Sequence, residues 1–380
     1  MDSVDVAIVG AGPAGAAAAL AARRADPSAG VALLDRAAFP RDKVCGDGIA
    51  PHAVDVLRAL GAADALAGYR PVSRLRVRSA GGRVALRTLA RPDYVVPRAV
   101  FDARLVAAAQ RAGAELWRWR VRHVAVEADR VVLDGRLAAR VVIGADGAHS
   151  AVARAVGARP HTGRDLAVAV RAYAPAPAGP PCQDVAFVEA DRPSYAWSFP
   201  IGDGRVNVGY GARADRLSVG RDGLLGRLEA AVGPTGFDPG TARGHLLPLS
   251  TGRPAPAEGR VLLAGDAAGL VNPLSGEGIY YAVASGALAG AAALEPRPAA
   301  CYAAALRRLL GRHLWHTALL SRVLEVPAVA EAGIAAAARR QRAFDDVVDL
   351  AIGAGALTPR LAAATARELL GGRWRATAPA

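Results

Sequence analysis

The chain has 380 residues, 52% hydrophobic and 21% charged, a balance that suits a globular protein with a core large enough to need no staples. Its cysteines, Cys45, Cys182 and Cys301, are far apart and no histidine cluster has ligand spacing, so neither a disulfide framework nor a metal site is indicated and a reducing cytosol fits. The formal charge of +13 comes from scattered arginines without interleaved aromatics, which argues against a nucleic-acid surface and leaves a basic exterior suited to diphosphates and anionic lipid headgroups.

At the N-terminus, VDVAIVG (Val4 to Gly10) is a β-branched run with no basic-then-apolar signal segment before it, and no apolar stretch of bilayer length follows, so a cytoplasmic location is expected. GAGPAG comes next, with Gly10, Gly12 and Gly15 at GxGxxG spacing around Pro13 and Ala14, then an Ala-rich helix. Strand, turn and helix stand in the order of a dinucleotide fold: Gly10 permits the turn, Gly12 lets the backbone approach a pyrophosphate, and Gly15 lets the helix pack on the strand. A second strand, VALLDR, ends in Asp35-Arg36, where the Asp35 carboxylate can accept both hydroxyls of an adenosine ribose.

FPRDKVCGDGIAP (Phe39 to Pro51) follows, carrying Lys43, the single lysine of the chain, and Cys45 between Lys43 and Gly46. An ammonium is more compact than a guanidinium, so one lysine among arginines marks a place where the wider head fails, unless it survives by chance. RLRVRSAGGRVALRT (Arg74 to Thr88) alternates around an Ala-Gly-Gly turn, and Pro97-Arg98 opens a helix. ARVVIGADGAHSAVAR is a buried strand ending in Asp146-Gly147, and the block from 162 to 250 contains several strands. In PSYAWSFP the rings of Tyr195, Trp197 and Phe199 project from one face of a strand, with Asn207, Gly209 and Gly211 on the next strand leaving space opposite. GRVLLAGDAAGLVNPLSGEGIYYAVASG is a further strand, ending in Gly265-Asp266 before a loop through Pro273 and a helix starting at Gly276-Glu277-Gly278-Ile279. Asp266 can bond a polyol such as a flavin ribityl chain, and the helix amides can face the electron-rich edge of an isoalloxazine. The other reading of each strand-end aspartate, Asp146 or Asp266, is a cap for the next helix.

These stretches together resemble the flavoprotein fold of para-hydroxybenzoate hydroxylase-type monooxygenases, flavin halogenases and geranylgeranyl reductases. FPRDKVCGDGIAP, the Asp146-Gly147 stretch, YAWSFPIGDGRVNVGYG and GDAAGLVNPLSGEGIYYAVASG are similar, more narrowly, to the geranylgeranyl reductase family, which includes reductases of menaquinone side chains. The resemblance spans residues 4 to about 295. Monooxygenases of the wider group usually carry a histidine after the GDA stretch and an asparagine in the next helix; Gly269 and Tyr280-Tyr281 stand there here, which favours the reductase branch.

The resemblance implies an α/β fold: a discontinuous Rossmann-like FAD-binding domain (1–70, 98–160, 255–298), an inserted antiparallel-sheet substrate domain (71–97, 161–254) and a C-terminal helical region (299–380). It places Arg98 and the Lys43 to Gly46 loop against the flavin, and Tyr195, Trp197 and Phe199 along a cavity for a flat apolar polyene. Cys45, made thiolate-like by a nearby cation, would tune the flavin or relay a proton, unless it is simply a small residue packed beneath the ring. Asp47 stands where many relatives have glycine. The implied activity is reduction of prenyl double bonds by hydride from reduced FAD plus a proton, with NAD(P)H or a ferredoxin-like carrier as electron donor. The substrate would be a prenyl lipid or quinone. A monooxygenase of the same fold and a non-redox prenyl-binding protein are the competing readings. For the tail after residue 300, a packed helical subdomain is expected, with capping of the cavity or peripheral membrane contact as alternatives.

Overall fold

The apolar run Asp2–Val9 forms a strand that sinks into the core along its length, Gly10 turns the chain at φ +100°, and helix Pro13–Ala25 returns with proline in its first turn. Strands Val31–Asp35 and Leu137–Gly144 flank the first strand in parallel, with Val6 opposite Val31 on one side and Val141 on the other. The sheet order is Ala257–Glu258, Val261–Leu263, Leu137–Gly144, Asp2–Val9, Val31–Asp35, Glu115–Arg118, with the hairpin Val124–Val126 and Val131–Leu133 joined at Leu137–Gly144. The computed structural model describes residues 1–189, 194–217, 220–233, 236–251 and 257–376; Pro193 of the expected aromatic strand and the expected boundary at 254 and 255 lie outside them.

Small residues set how closely the two helices of this unit approach. Helix Ile279–Ala292 crosses Pro13–Ala25 so tightly that a Cβ on Gly286 or Gly290 would stand 2.1 Å from the carbonyl oxygen of Ala14 or Ala18.

Both inserts join one second sheet, in the order Asp238–Pro248, Leu166–Pro175, Arg205–Arg213, Ser194–Pro200, Gln183–Glu189, Val72–Arg78, Val84–Val95, Gly48–Ile49. It departs from the antiparallel expectation at one place. Gln183–Glu189 runs parallel to Val72–Arg78, because the connection between them passes through the first sheet instead of a hairpin. Gly48–Ile49 also pairs here, opposite Val95 and Tyr94, and so carries the lysine loop from one sheet to the other.

The tail is not a separate subdomain. Its long helix, Pro298–Val323, packs Tyr302, Leu306 and Leu310 into the core of the first unit, and the Tyr302 hydroxyl donates to the Leu263 carbonyl at 2.7 Å. Helices Pro327–Arg339 and Gln341–Ile352 instead lay Ile334, Ala337 and Phe344 on Ala85 and Leu89 of the second sheet. Helical periodicity reveals a buried face but not which neighbour covers it.

Candidate active site

A cavity of about 1160 Å³ is lined by both sheets and the tail helices. The Gly10, Gly12, Pro13 and Ala14 turn, Asp35, Arg36, Lys43, Cys45, Gly46, Arg98, Asp146, Gly147 and Asp266 bound one part, with Pro273 and Gly276 to Ile279. Leu75, Val77, Phe187, Tyr195, Trp197 and Phe199 bound the other, and Leu324, Ile334 and Val347 come from the tail. Gly15 and Gly265, expected at the cofactor, are not on this surface. A Cβ on Gly15 would lie 1.8 Å from the Gly10 carbonyl oxygen, so its role is packing, and the Gly265 amide donates to Ser285 Oγ at 2.9 Å.

At the turn, the chain offers the donors a diphosphate needs. A side chain on Gly12 would meet only the guanidinium tips of Arg41 and Arg98, at 3.6 and 3.9 Å, beside the N-terminus of helix Pro13–Ala25. Asp102, fully buried, holds both arginines: Arg98 donates from Nε at 2.6 Å and from Nη2 at 2.8 Å, and Arg41 Nη1 stands 3.1 Å away. Asp35 accepts the Ala11 and Ala37 amides, each at 2.9 Å, one on each oxygen, leaving lone pairs for ribose hydroxyls. The residues present therefore fit an adenine dinucleotide. Arg41 and Asp102 were missed because arginine and aspartate at these spacings read as ordinary surface charge.

Lys43 reaches across to Asp266, Nζ to Oδ2 at 3.3 Å, beside Gly147. His245, from the second sheet, stands 3.6 Å from the same oxygen. Burial pushes the Asp266 carboxyl up, but Lys43 and His245 together hold it well below the usual carboxylate range. Asp146 takes the capping role: it accepts the Ser150 hydroxyl and the Ala151 amide at the start of helix Ala151–Ala155.

The loop carrying Cys45 is tied down from the second sheet. Arg171, buried, donates to both Asp42 oxygens at 2.6 and 2.8 Å, and Asn207 Nδ2 donates to the Cys45 carbonyl at 2.8 Å and to Asp47 at 2.7 Å. Asp47 has φ +62°, the left-handed region that favours glycine. Burial raises its carboxyl to about 6, while Asn207, Arg171 and Tyr173 pull the other way. Cys45 does not become thiolate-like. Burial pushes its thiol up, only partly offset by Arg98, and the Lys43 charge is spent on Asp266.

Tyr195, Trp197 and Phe199 share one face, as expected, but the space opposite them is taken by their own rings. A Cβ on Gly209 would lie 2.0 Å from Trp197 Cζ2, and one on Gly211 would lie 3.2 Å from Tyr195 Cζ. Gly209 therefore lies beneath Trp197 and off the cavity, which corrects its expected place as a substrate contact: alternation fixes a side chain's face, not what fills the room above a glycine. Trp197 Nε1 donates to Asn207 at 2.9 Å, Phe199 rests on Gly46 and Gly48, and the Tyr195 hydroxyl sits over Gly276. Glu277 accepts the Tyr280 amide at 2.7 Å, and burial raises its carboxyl to about 7. Behind it, Asn272 donates to Tyr281 and to the Leu350 carbonyl, each at 2.9 Å, fastening this loop to the tail.

The FAD binding domain family matches residues 3–290. Menaquinone reductase of Mycobacterium tuberculosis is 38% identical over 317 residues, covering 76% of this chain and 76% of that one. Digeranylgeranylglycerophospholipid reductase 1 of Methanopyrus kandleri is 32% identical over 333 residues, covering 77% and 80%. Among solved structures, a geranylgeranyl bacteriochlorophyll reductase-like protein of Thermoplasma acidophilum superposes with a TM-score of 0.79 at 20% identity over 99% of both chains.

Fold and site thus define an FAD-dependent oxidoreductase. The chain belongs to the FAD binding domain family and, within it, to the geranylgeranyl reductase family.

Proposed function

We propose that the protein reduces carbon–carbon double bonds of an isoprenoid chain carried by a quinone, a glycerolipid or a diphosphate. The observation that carries this reading is the cavity itself: a wall of aromatic and aliphatic side chains, continuous with the dinucleotide turn, suits a long polyene that offers few hydrogen bonds. Relatives named for menaquinone and for digeranylgeranylglycerophospholipid reduction support it. FAD, when bound and reduced, supplies the hydride that an unactivated alkene requires. The chain supplies position and dryness. Gly10, Gly12, Arg41 and Arg98 would hold the diphosphate, Asp35 the ribose, and Asp266, fixed by Lys43, the polyol. Tyr195, Trp197 and Phe199 hold the alkene flat and keep water out. Cys45 presents a neutral thiol beside Arg98.

The test is mass spectrometry of a menaquinone and of geranylgeranyl diphosphate after incubation with the purified holoprotein, reduced chemically or with NADPH, with and without oxygen. The expected result is mass gained in whole H2 units without oxygen, with NADPH bleaching the flavin. Addition of an oxygen atom in air, and nothing without it, would replace the reductase with a monooxygenase. A flavin bleached only by a reduced ferredoxin would change the donor alone.

Among the described residues no helix is long and apolar enough to cross a membrane. The proposed contact with the bilayer is peripheral. Arg308, Arg312, Trp315, Leu319, Arg322 and Val326 are exposed and follow one another at helical spacing along and just beyond Pro298–Val323, and Arg322 also lines the cavity. An aromatic and aliphatic stripe flanked by arginines suits an anionic headgroup layer, from which a prenyl chain could pass into the cavity. Vesicles containing phosphatidylglycerol should sediment the protein and phosphatidylcholine alone should not. Reversing Arg308 and Arg312 to glutamate should weaken binding by about tenfold or more, at roughly 1 kcal/mol per charge. Equal sedimentation by both vesicle types would remove the membrane from the account.

A further inference from the structure

One acid in the cavity has no part in anything described so far. Asp93 lies near the end of strand Val84–Val95, just past the place where its pairing with Val72–Arg78 shifts register, opposite Val72. Asp93 is 5% exposed, it lines the cavity, and its Oδ1 has no hydrogen-bond partner among the described residues. An unpaired polar oxygen buried at a cavity wall is costly to keep and needs an explanation. The buried Gln183 amide, from strand Gln183–Glu189, is its polar neighbour.

Asp93 lines the same cavity as Cys45, Tyr195 and Glu277. Its strand continues to Val95, which pairs with Gly48 at the end of the Cys45 loop. Burial first, and the Glu277 carboxyl second, raise the Asp93 carboxyl to about 8, with Gln183 pulling the other way, so it carries its proton at neutral pH.

We propose that Asp93 is the general acid that delivers the proton to the alkene. The inference rests on the reduction proposed above. The π bond breaks as one carbon receives hydride from the reduced flavin, which is oxidised, and the neighbouring carbon receives H⁺ from the Asp93 carboxyl. Asp93 is left as a carboxylate and regains its proton from water between turnovers. The unpaired oxygen is explained by this role, since an acid that must face substrate cannot spend its hydroxyl on the protein.

The experiment compares wild type, Asp93→Asn, Asp93→Glu and Cys45→Ala as FAD holoproteins, following anaerobic reoxidation of prereduced flavin by geranylgeranyl diphosphate or menaquinone in a single turnover. Asp93→Asn keeps the shape and neutrality of the protonated acid but cannot give up a proton. Its reoxidation should slow by about 10²-fold or more and lose the solvent deuterium isotope effect of wild type, while FAD content and affinity of the oxidised protein for substrate stay unchanged. Asp93→Glu should recover part of the rate. Thermal stability against pH reads the buried acid without activity. The folded chain keeps a proton on Asp93 that the unfolded chain has lost, so wild type should lose stability as pH rises from about 4 to about 8, a slope that Asp93→Asn should diminish. A wild-type rate in Asp93→Asn, or a loss seen in Cys45→Ala instead, would overturn the assignment. Weaker substrate binding with an unchanged rate would make Asp93 a contact, which also overturns it. A wild type that reduces neither substrate would overturn the function itself.

Discussion

Replacing Asp102 with alanine is expected to cost about 3–5 kcal/mol of stability in the apoprotein, the usual penalty for stranding buried charge. The carboxylate is fully buried, is gripped by Arg98 through two hydrogen bonds and stands 3.1 Å from Arg41. Without it, two guanidiniums face the positive end of helix Pro13–Ala25 with nothing between them. The diphosphate of FAD would restore part of the missing charge, so the loss should be smaller in the holoprotein. Urea unfolding of both forms measures it, and an Asp102→Ala midpoint equal to wild type in both would show that the cluster does not hold the turn.

Gly286→Ala is the second large effect, at about 3 kcal/mol, near the upper end for overpacking. The added methyl would lie 2.1 Å from the Ala14 carbonyl oxygen, and backbone cannot swing aside as a side chain can. Relief requires helix Ile279–Ala292 to move away from Pro13–Ala25, which drags the glycine turn and should lower flavin content along with the melting temperature. The double change Gly286→Ala/Gly290→Ala should leave little folded protein. Gly226 gives the opposite result: it is exposed in helix Arg221–Val232 with nothing within 4 Å of an added Cβ, so Gly226→Ala should gain about 0.5–1 kcal/mol. A Gly286→Ala protein as stable as Gly226→Ala would mean the helices have room that the crossing denies.

Features set by local chemistry were legible from the chain. The strand into Gly10, the helix after Pro13, the acid at Asp35 and the one-faced row Tyr195, Trp197 and Phe199 follow from period and turn residues within a short window. Pairings across the fold were not. Nothing near Asp42 announces Arg171, and nothing near Lys43 announces Asp266, because each partner is more than 100 residues away along the chain. Asp93 was missed: it lies beyond the alternating stretch Arg74 to Thr88, and only the assembled cavity gives an isolated acid its meaning. Asp146 shows the converse, where the plain capping role was visible and is what the structure uses. For Cys45 the nearby cation suggested a reactive thiolate, and burial together with the diversion of Lys43 reversed the sign.

Glu331, on the tail helix Pro327–Arg339, accepts the Ser79 hydroxyl and the Gly81 amide, each at 2.7 Å, at the tip of the hairpin between Arg78 and Val84. Ser79 and Glu331 both line the cavity, so the clasp fixes how far the second sheet and the tail stand apart across it. For the proposed prenyl substrate, that fixed width, more than the length of the chain, would set what can enter.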